Sequence, residues 1–99
     1  MITTDDIKAS LPTICKKFKI KYVDIFGSFA RNERQEESDI DLIIEFEDPI
    51  EEHVSERYFG FLHSMEDKFN RKVDLLTPRS IKNPYFKKAI ERDRVRIYG

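Results

Sequence analysis

Apolar residues along this chain repeat at two periods, and the changeovers between them mark out its elements. From Asp39 to Phe46 the pattern alternates: Ile40, Leu42, Ile44 and Phe46 point one way, and Asp39, Asp41, Ile43 and Glu45 the other. A two-residue period of this kind is a strand with one face on a core. From about Glu52 to Asn70 the spacing turns helical, with Val54, Tyr58, Phe61, Leu62, Met65 and Phe69 on one stripe. Such an aromatic stripe reads as core. Two more strands are predicted. Lys21 to Phe26 is rich in Tyr, Val, Ile and Phe, and in Lys72 to Leu76 the residues Val73 and Leu75 share a face while Asp74 takes the other.

Polar residues signal where the remaining elements start and stop. Thr4, followed by Asp5 and Asp6, supplies a capping hydroxyl and then acids at the positive end of a helix dipole. Pro12, just after Ser10, begins a second turn of helix that runs to about Lys19. Gly27 ends the first strand, Ser28 to Asn32 is a short helix, and Asn32 to Ser38 is a polar loop. Pro49 closes the region of the second strand. Asn83-Pro84 is an N-cap and first helical position for a helix to about Arg92, and Val95 to Tyr98 is a last extended segment. The dozen residues between the first two strands fit either relative direction. Each strand has one apolar face and one that carries acids. The expected architecture is α/β (α+β): a mixed sheet of three to four strands, helices mainly on one face, and a second face left for function.

Composition narrows the class. Ninety-nine residues, 39% apolar and 12% aromatic, suffice for one compact core, and the reading is a single domain over residues 1–99. No apolar run approaches the roughly 20 residues of a membrane span. The start Met1-Ile2-Thr3 lacks the basic-then-apolar layout of a signal peptide, so the cytoplasm is the expected compartment. Cys15, the only cysteine, excludes an internal disulfide and reads as a small core residue. His53 and His63 stand ten apart with no ligand set around them, and so do not suggest zinc. The net charge of −1 conceals three blocks: residues 1–32 carry +3, residues 33–56 carry −10 and residues 57–99 carry +6. Blocks like these are either solvated faces or an acidic metal-binding edge beside basic surface that meets phosphates or an acidic partner.

The candidate chemistry lies in the acidic block and just before it. Asp39 and Asp41, at i and i+2 on a strand, project from the same face, near enough to share a divalent cation. Bare carboxylates that close repel, and one of them protonates unless a cation intervenes. Asp-x-Asp alone is common on exposed strands. Gly27-Ser28 adds a tight turn after the preceding strand, backbone N–H groups at a short helix start, and a hydroxyl suited to a phosphate oxygen. Taken alone, that pair is an ordinary strand-to-helix turn. Asp74 is either a solvated edge residue or, if the third strand lies beside the second, a third member of the acid cluster. Three carboxylates can hold two metals about 4 Å apart, the arrangement suited to in-line displacement at phosphorus.

The stretch Phe26-Gly27-Ser28-Phe29-Ala30-Arg31, then Ser38-Asp39-Ile40-Asp41-Leu42, resembles the Gly-Ser-x10-Asp-x-Asp signature of the DNA polymerase beta-like nucleotidyltransferase superfamily. Val73-Asp74-Leu75 is similar to that family's third-acid strand, and the chain length to its minimal nucleotidyltransferase (MNT) branch. Asn32 departs from the pattern, since many relatives have glycine after the arginine. The resemblance implies the polymerase beta-like nucleotidyltransferase fold and two Mg2+ ions held by Asp39, Asp41 and Asp74 as the catalytic acids. It further implies ATP as substrate, its triphosphate on Gly27 and Ser28, and Arg31 either on phosphate or capping the loop against Glu33 or Glu37.

The MNT branch resembles the antitoxin half of HEPN/MNT toxin–antitoxin pairs. The expected activity is therefore transfer of AMP from ATP to a protein hydroxyl, a tyrosine of a HEPN-type toxin. The alternative is a non-catalytic antitoxin that neutralises its partner by forming a complex. Larger relatives carry a second domain for the acceptor. With none expected here, recognition falls to this domain's own surface, a homo- or hetero-oligomer, or a partner. Arg92, Arg94 and Arg96 are candidates for such contacts. Membrane association is not expected without a long apolar run, nor direct nucleic-acid binding with the −10 segment around the site and no aromatic-basic patch.

Overall fold

The computed structural model describes residues 2–31, 39–47 and 53–99. Its elements are α1 (Thr4–Phe18), β1 (Ile20–Phe26), α2 (Gly27–Ala30), β2 (Ile40–Phe46), α3 (Val54–Phe69), β3 (Val73–Leu76), a 3-10 turn at Pro78–Ser80, α4 (Pro84–Asp93) and β4 (Val95–Tyr98). The predicted order of elements is present, and the 3-10 turn is additional.

The start of α1 lies one residue earlier than the sequence suggested. Thr3, not Thr4, is the N-cap. Its hydroxyl accepts from the Asp6 N–H at 3.1 Å, and the Asp6 carboxylate accepts from the Thr3 N–H at 2.9 Å. Only Thr3 has an acid three positions on, so only Thr3 can close this reciprocal pair. Pro12 does not begin a new helix but lies inside α1. It is exposed there and has no N–H to give to the carbonyl four residues back.

The sheet has the order β3-β2-β1-β4. β1 runs antiparallel to both β2 and β4, which resolves the direction left open by loop length. β2 and β3 are parallel, and α3 supplies the crossover that parallel neighbours need. α1 and α3 cover one face. Ile7, Leu11 and Cys15 of α1 and Phe61 and Met65 of α3 meet Val23, Ile25, Ile40, Leu42 and Ile44 of the sheet. Ile40, Leu42, Ile44, Phe61 and Met65 belong to the stripes read from periodicity. The last helix takes the other face: Ile90 of α4 packs on Phe26 and Ile43. Those two apolar residues stand on the acid-bearing side of their strands and give α4 something to cover, so this second face is only partly open.

Two side chains of α3 finish the outer edge of β3. Glu66 accepts from the Val73 N–H at 3.1 Å, and the Tyr58 hydroxyl donates to the Leu75 carbonyl at 2.5 Å. Arg57 ties the start of α3 to the end of α1. It donates to the carbonyls of Phe18, Lys19 and Glu47 at 2.7–2.9 Å and stacks on Phe46. Among the described residues, no helix is long and apolar enough to cross a membrane.

Candidate active site

The strand registers bring the separated acids together. The parallel pairing of β2 and β3 sets Asp41 beside Asp74, and the antiparallel pairing of β1 and β2 sets Asp41 opposite Phe26 at the end of β1. Asp39 precedes β2 by one residue. The conditional placement of Asp74 is thereby met: the third strand does neighbour the second. Burial pushes the Asp41 carboxyl up to about 6, and the Asp74 charge, a hydrogen bond with Asp74 and the Asp39 charge push the same way, opposed by Arg31. Asp74 also has the Lys72 ammonium at 3.7 Å.

Among the described residues, no three acidic, His or Cys side chains converge as a ready metal cage. Asp41 and Asp74 form the close pair, and Asp39 acts on Asp41 through its charge. Two carboxylates set side by side by the strand register are a donor set that a hard divalent cation satisfies, since it removes their mutual repulsion. The residues therefore fit magnesium.

Gly27 opens α2 immediately beside this pair. Its φ is +72°, a left-handed conformation, and a Cβ placed there would overlap the Asp41 carboxylate. The position thus excludes other side chains on both counts. Ser28 follows in the first turn of α2, and the Arg31 N–H returns to the Gly27 carbonyl at 3.1 Å. The Arg31 guanidinium pairs with Asp93 on α4 at 2.8 Å. Glu33 and Glu37, the partners suggested by sequence, lie outside the described residues.

A cavity of about 480 Å³ adjoins the acids on the β3 side, lined by Phe26, Asp41, Tyr58, Val73, Asp74, Leu75, Leu76 and Phe86. Sequence reasoning assigned Tyr58 to the core stripe and gave Phe86 no role. The signal for Phe86 was its spacing of four from Ile90, which places both on the side of α4 that meets the sheet. Burial, then the Asp74 charge, raise the Tyr58 hydroxyl above its usual pKa.

A second acid was also missed. Asp24, only 2% exposed, is clamped by the guanidinium groups of Arg94 and Arg96. Arg94 further reaches Glu91 at 3.0 Å, and Arg96 stacks on the Tyr22 ring at 4.1 Å. These two arginines therefore tie β4 and the end of α4 to β1, where the sequence had offered them for partner contacts. Arg92 is exposed.

Residues 7–97 match the family model described as nucleotidyltransferase domain. The chain belongs to that family. It is a nucleotidyltransferase by this membership and by its relatives. A Methanocaldococcus jannaschii protein named as a candidate protein adenylyltransferase is 44% identical over 81 residues, covering 82% of this chain and 80% of that protein. Among solved structures, a chain described as a candidate minimal nucleotidyltransferase superposes with a TM-score of 0.72 at 24% identity, covering 92% of this chain and 89% of that one. A chain from the complex of tri-AMPylated Shewanella oneidensis HEPN toxin with MNT antitoxin superposes at 0.62 and 15% identity, covering 93% and 69%. The last two likenesses bear on the fold, and they match the mixed sheet with flanking helices described above.

Proposed function

We propose that this chain, a single domain over residues 1–99, is a magnesium-dependent protein adenylyltransferase. It moves AMP from ATP onto a tyrosine hydroxyl of a HEPN-type toxin and so acts as its antitoxin in the cytoplasm. The observation that carries this reading is the Asp41–Asp74 pair, held by parallel register beside the left-handed Gly27 turn and open to a cavity. The relatives' names support AMP transfer to a protein and a HEPN-type partner, while the tyrosine acceptor comes from the family resemblance.

In this reading Gly27 and Ser28 receive the triphosphate through backbone N–H groups and the Ser28 hydroxyl. Arg31 lies near enough to act on Asp41 through its charge and adds positive potential there. Asp39, Asp41 and Asp74 would hold divalent cations, which when bound would neutralise the phosphate charge. Asp74, on the cavity side, accepts the proton of the incoming hydroxyl. The hydroxyl oxygen forms a bond to the α-phosphorus, the α–β bridging bond breaks, and pyrophosphate leaves with that bridging oxygen.

The test is intact-mass measurement of a HEPN partner incubated with the chain, ATP and magnesium. The partner gains mass in AMP steps, and Asp39→Ala/Asp41→Ala lowers the rate by at least about 10³-fold, the scale of several kcal/mol of lost charge stabilisation. Undiminished neutralisation by the double variant, with no mass gain from either chain, would establish the non-catalytic antitoxin instead.

A further inference from the structure

Arg31 is fixed at both ends. Its backbone closes α2: the Arg31 N–H returns to the Gly27 carbonyl at 3.1 Å, so the residue sits on the turn that the glycine opens. That turn is itself anchored, because Phe29 is buried in the core and Gly27 abuts the Asp41 carboxylate. The tip of the side chain is held from elsewhere in the fold. Nη1 of Arg31 lies 2.8 Å from Oδ2 of Asp93, the last residue of α4. In this arrangement the Arg31 charge is felt at Asp41. The side chain thus bridges the Gly27 turn and α4, with its charge in reach of the acid pair.

Asp93 stands where α4 is firmest. Three positions before it, Ile90 seats the helix on Phe26 and Ile43. The residue after it, Arg94, returns its N–H to the Ile90 carbonyl at 2.9 Å and clamps Asp24 of β1. Pro84 to Ala89, by contrast, bury no side chain. Helix preference gives no reason for an acid at this end, since the negative end of the dipole disfavours a carboxylate there. Stability gives little more. The Arg31 side chain is 45% exposed and that of Asp93 21%, and ion pairs open to solvent contribute little. What the pair does fix is direction. An arginine side chain has many rotamers to lose, and a carboxylate on one nitrogen orients its planar fork without exhausting the five N–H groups.

We propose that Asp93 is a positioning residue for the nucleotide: by holding Nη1 it presents the Arg31 guanidinium to the triphosphate on the Gly27 turn, so that α4 serves the site without touching substrate. Ordering a long side chain before the ligand arrives removes that cost from binding. The opposite arrangement, in which Asp93 withholds Arg31 until the triphosphate draws it away, is disfavoured because the paired guanidinium already acts on Asp41. This inference rests on the adenylyltransferase reading for the place of the triphosphate. It adds a residue that lies outside the Gly-Ser and Asp-x-Asp motif, sixty-two positions from its partner.

The probes are α,β-methylene ATP with magnesium, and AMP, titrated calorimetrically into the full chain. The salt is about 0.15 M, where the loss of one nearby negative charge is largely screened. Asp93→Asn weakens the triphosphate analogue about fivefold, the scale of ordering one long side chain on binding, and changes AMP by less than about twofold. Asp93→Glu recovers part of the lost affinity. Arg31→Ala weakens the analogue at least as much, and adding Asp93→Asn to it costs nothing further, because Asp93 acts through Arg31. Glu91→Gln removes another ion pair from the same helix end, that with Arg94, and leaves both affinities unchanged. Thermal unfolding of these variants stays close to the parent. Unchanged or tighter analogue binding by Asp93→Asn overturns the proposal. So does an equal loss in the Arg31→Ala background, or an equal loss from Glu91→Gln, which would make Asp93 a staple for α4 alone. Mass measurement of a HEPN partner with ATP and magnesium separates this inference from the reading it rests on. A coupled loss of analogue affinity with no AMP on the partner keeps the role of Asp93 and removes the adenylyltransferase reading. AMP transfer with analogue affinity indifferent to Asp93 does the reverse, and a parent chain that binds no analogue overturns both.

Discussion

Asp41 gives up its proton near pH 3.8 in an unfolded chain but keeps it to about pH 6 in the fold. Below pH 3.8 both states are protonated and the group contributes nothing. Between about pH 4 and pH 6 the unfolded chain ionises first, so stability falls as pH rises, then levels off. Fully expressed, that difference in proton affinity is worth about 3 kcal/mol, and solvent access to this half-buried carboxyl reduces the loss to about 1–2 kcal/mol. Urea unfolding with chelator present therefore finds Asp41→Asn more stable than the parent by about that amount at pH 7.5, with the two converging near pH 3.5. Adding magnesium closes the gap by stabilising the parent. A variant less stable than the parent at pH 7.5 without metal contradicts the assignment of Asp41 as a cation-seeking carboxylate.

At the scale of elements, the chain's patterning was legible wherever a local period or a short spacing encoded it. The alternation of Asp39 to Phe46 gave β2 and its faces, and the stripe from Val54 to Phe69 gave α3. Asn83-Pro84 gave the start of α4, where the Asn83 side-chain Oδ1 accepts from the Tyr85 N–H at 2.9 Å. Gly27, Ser28, Asp39 and Asp41 could be singled out as candidates because they fall within one short span. What escaped was set by residues far apart in the chain. Asp24 looked like any lone acid on a strand, because its partners Arg94 and Arg96 lie about seventy positions away. Arg31 finds Asp93 sixty-two positions on. The cap of α1 was a closer matter, decided between adjacent threonines by Asp6. Thr3→Ala removes both bonds of the capping box and lowers stability by about 1 kcal/mol, while Thr4→Ala changes it by less than about 0.5 kcal/mol. Thermal unfolding of the pair checks this, and equal losses would mean the cap is shared.

The whole molecule is built unevenly about its sheet. α1 and α3 seal one face with interlocked aliphatic and aromatic side chains, whereas α4 rests on the other through Ile90, the Arg31–Asp93 ion pair and the clamp of Arg94 on Asp24. Local opening follows buried apolar contact, so amide exchange is expected to be faster along Pro84 to Ala89 than along Phe61 to Met65. Hydrogen–deuterium exchange by mass spectrometry measures both stretches in one experiment, and equal protection would show α4 to be as firmly seated as α3.

That light attachment bears on how such enzymes diversify. Because Lys82 to Ala89 supplies almost nothing to the interior, mutations there escape the stability threshold that purges most core changes. Lineages can rewrite this stretch while Gly27, Asp41 and Asp74 stay locked by mutual contact. A scaffold of this kind can then vary one short helix while its glycine turn and acid pair are kept.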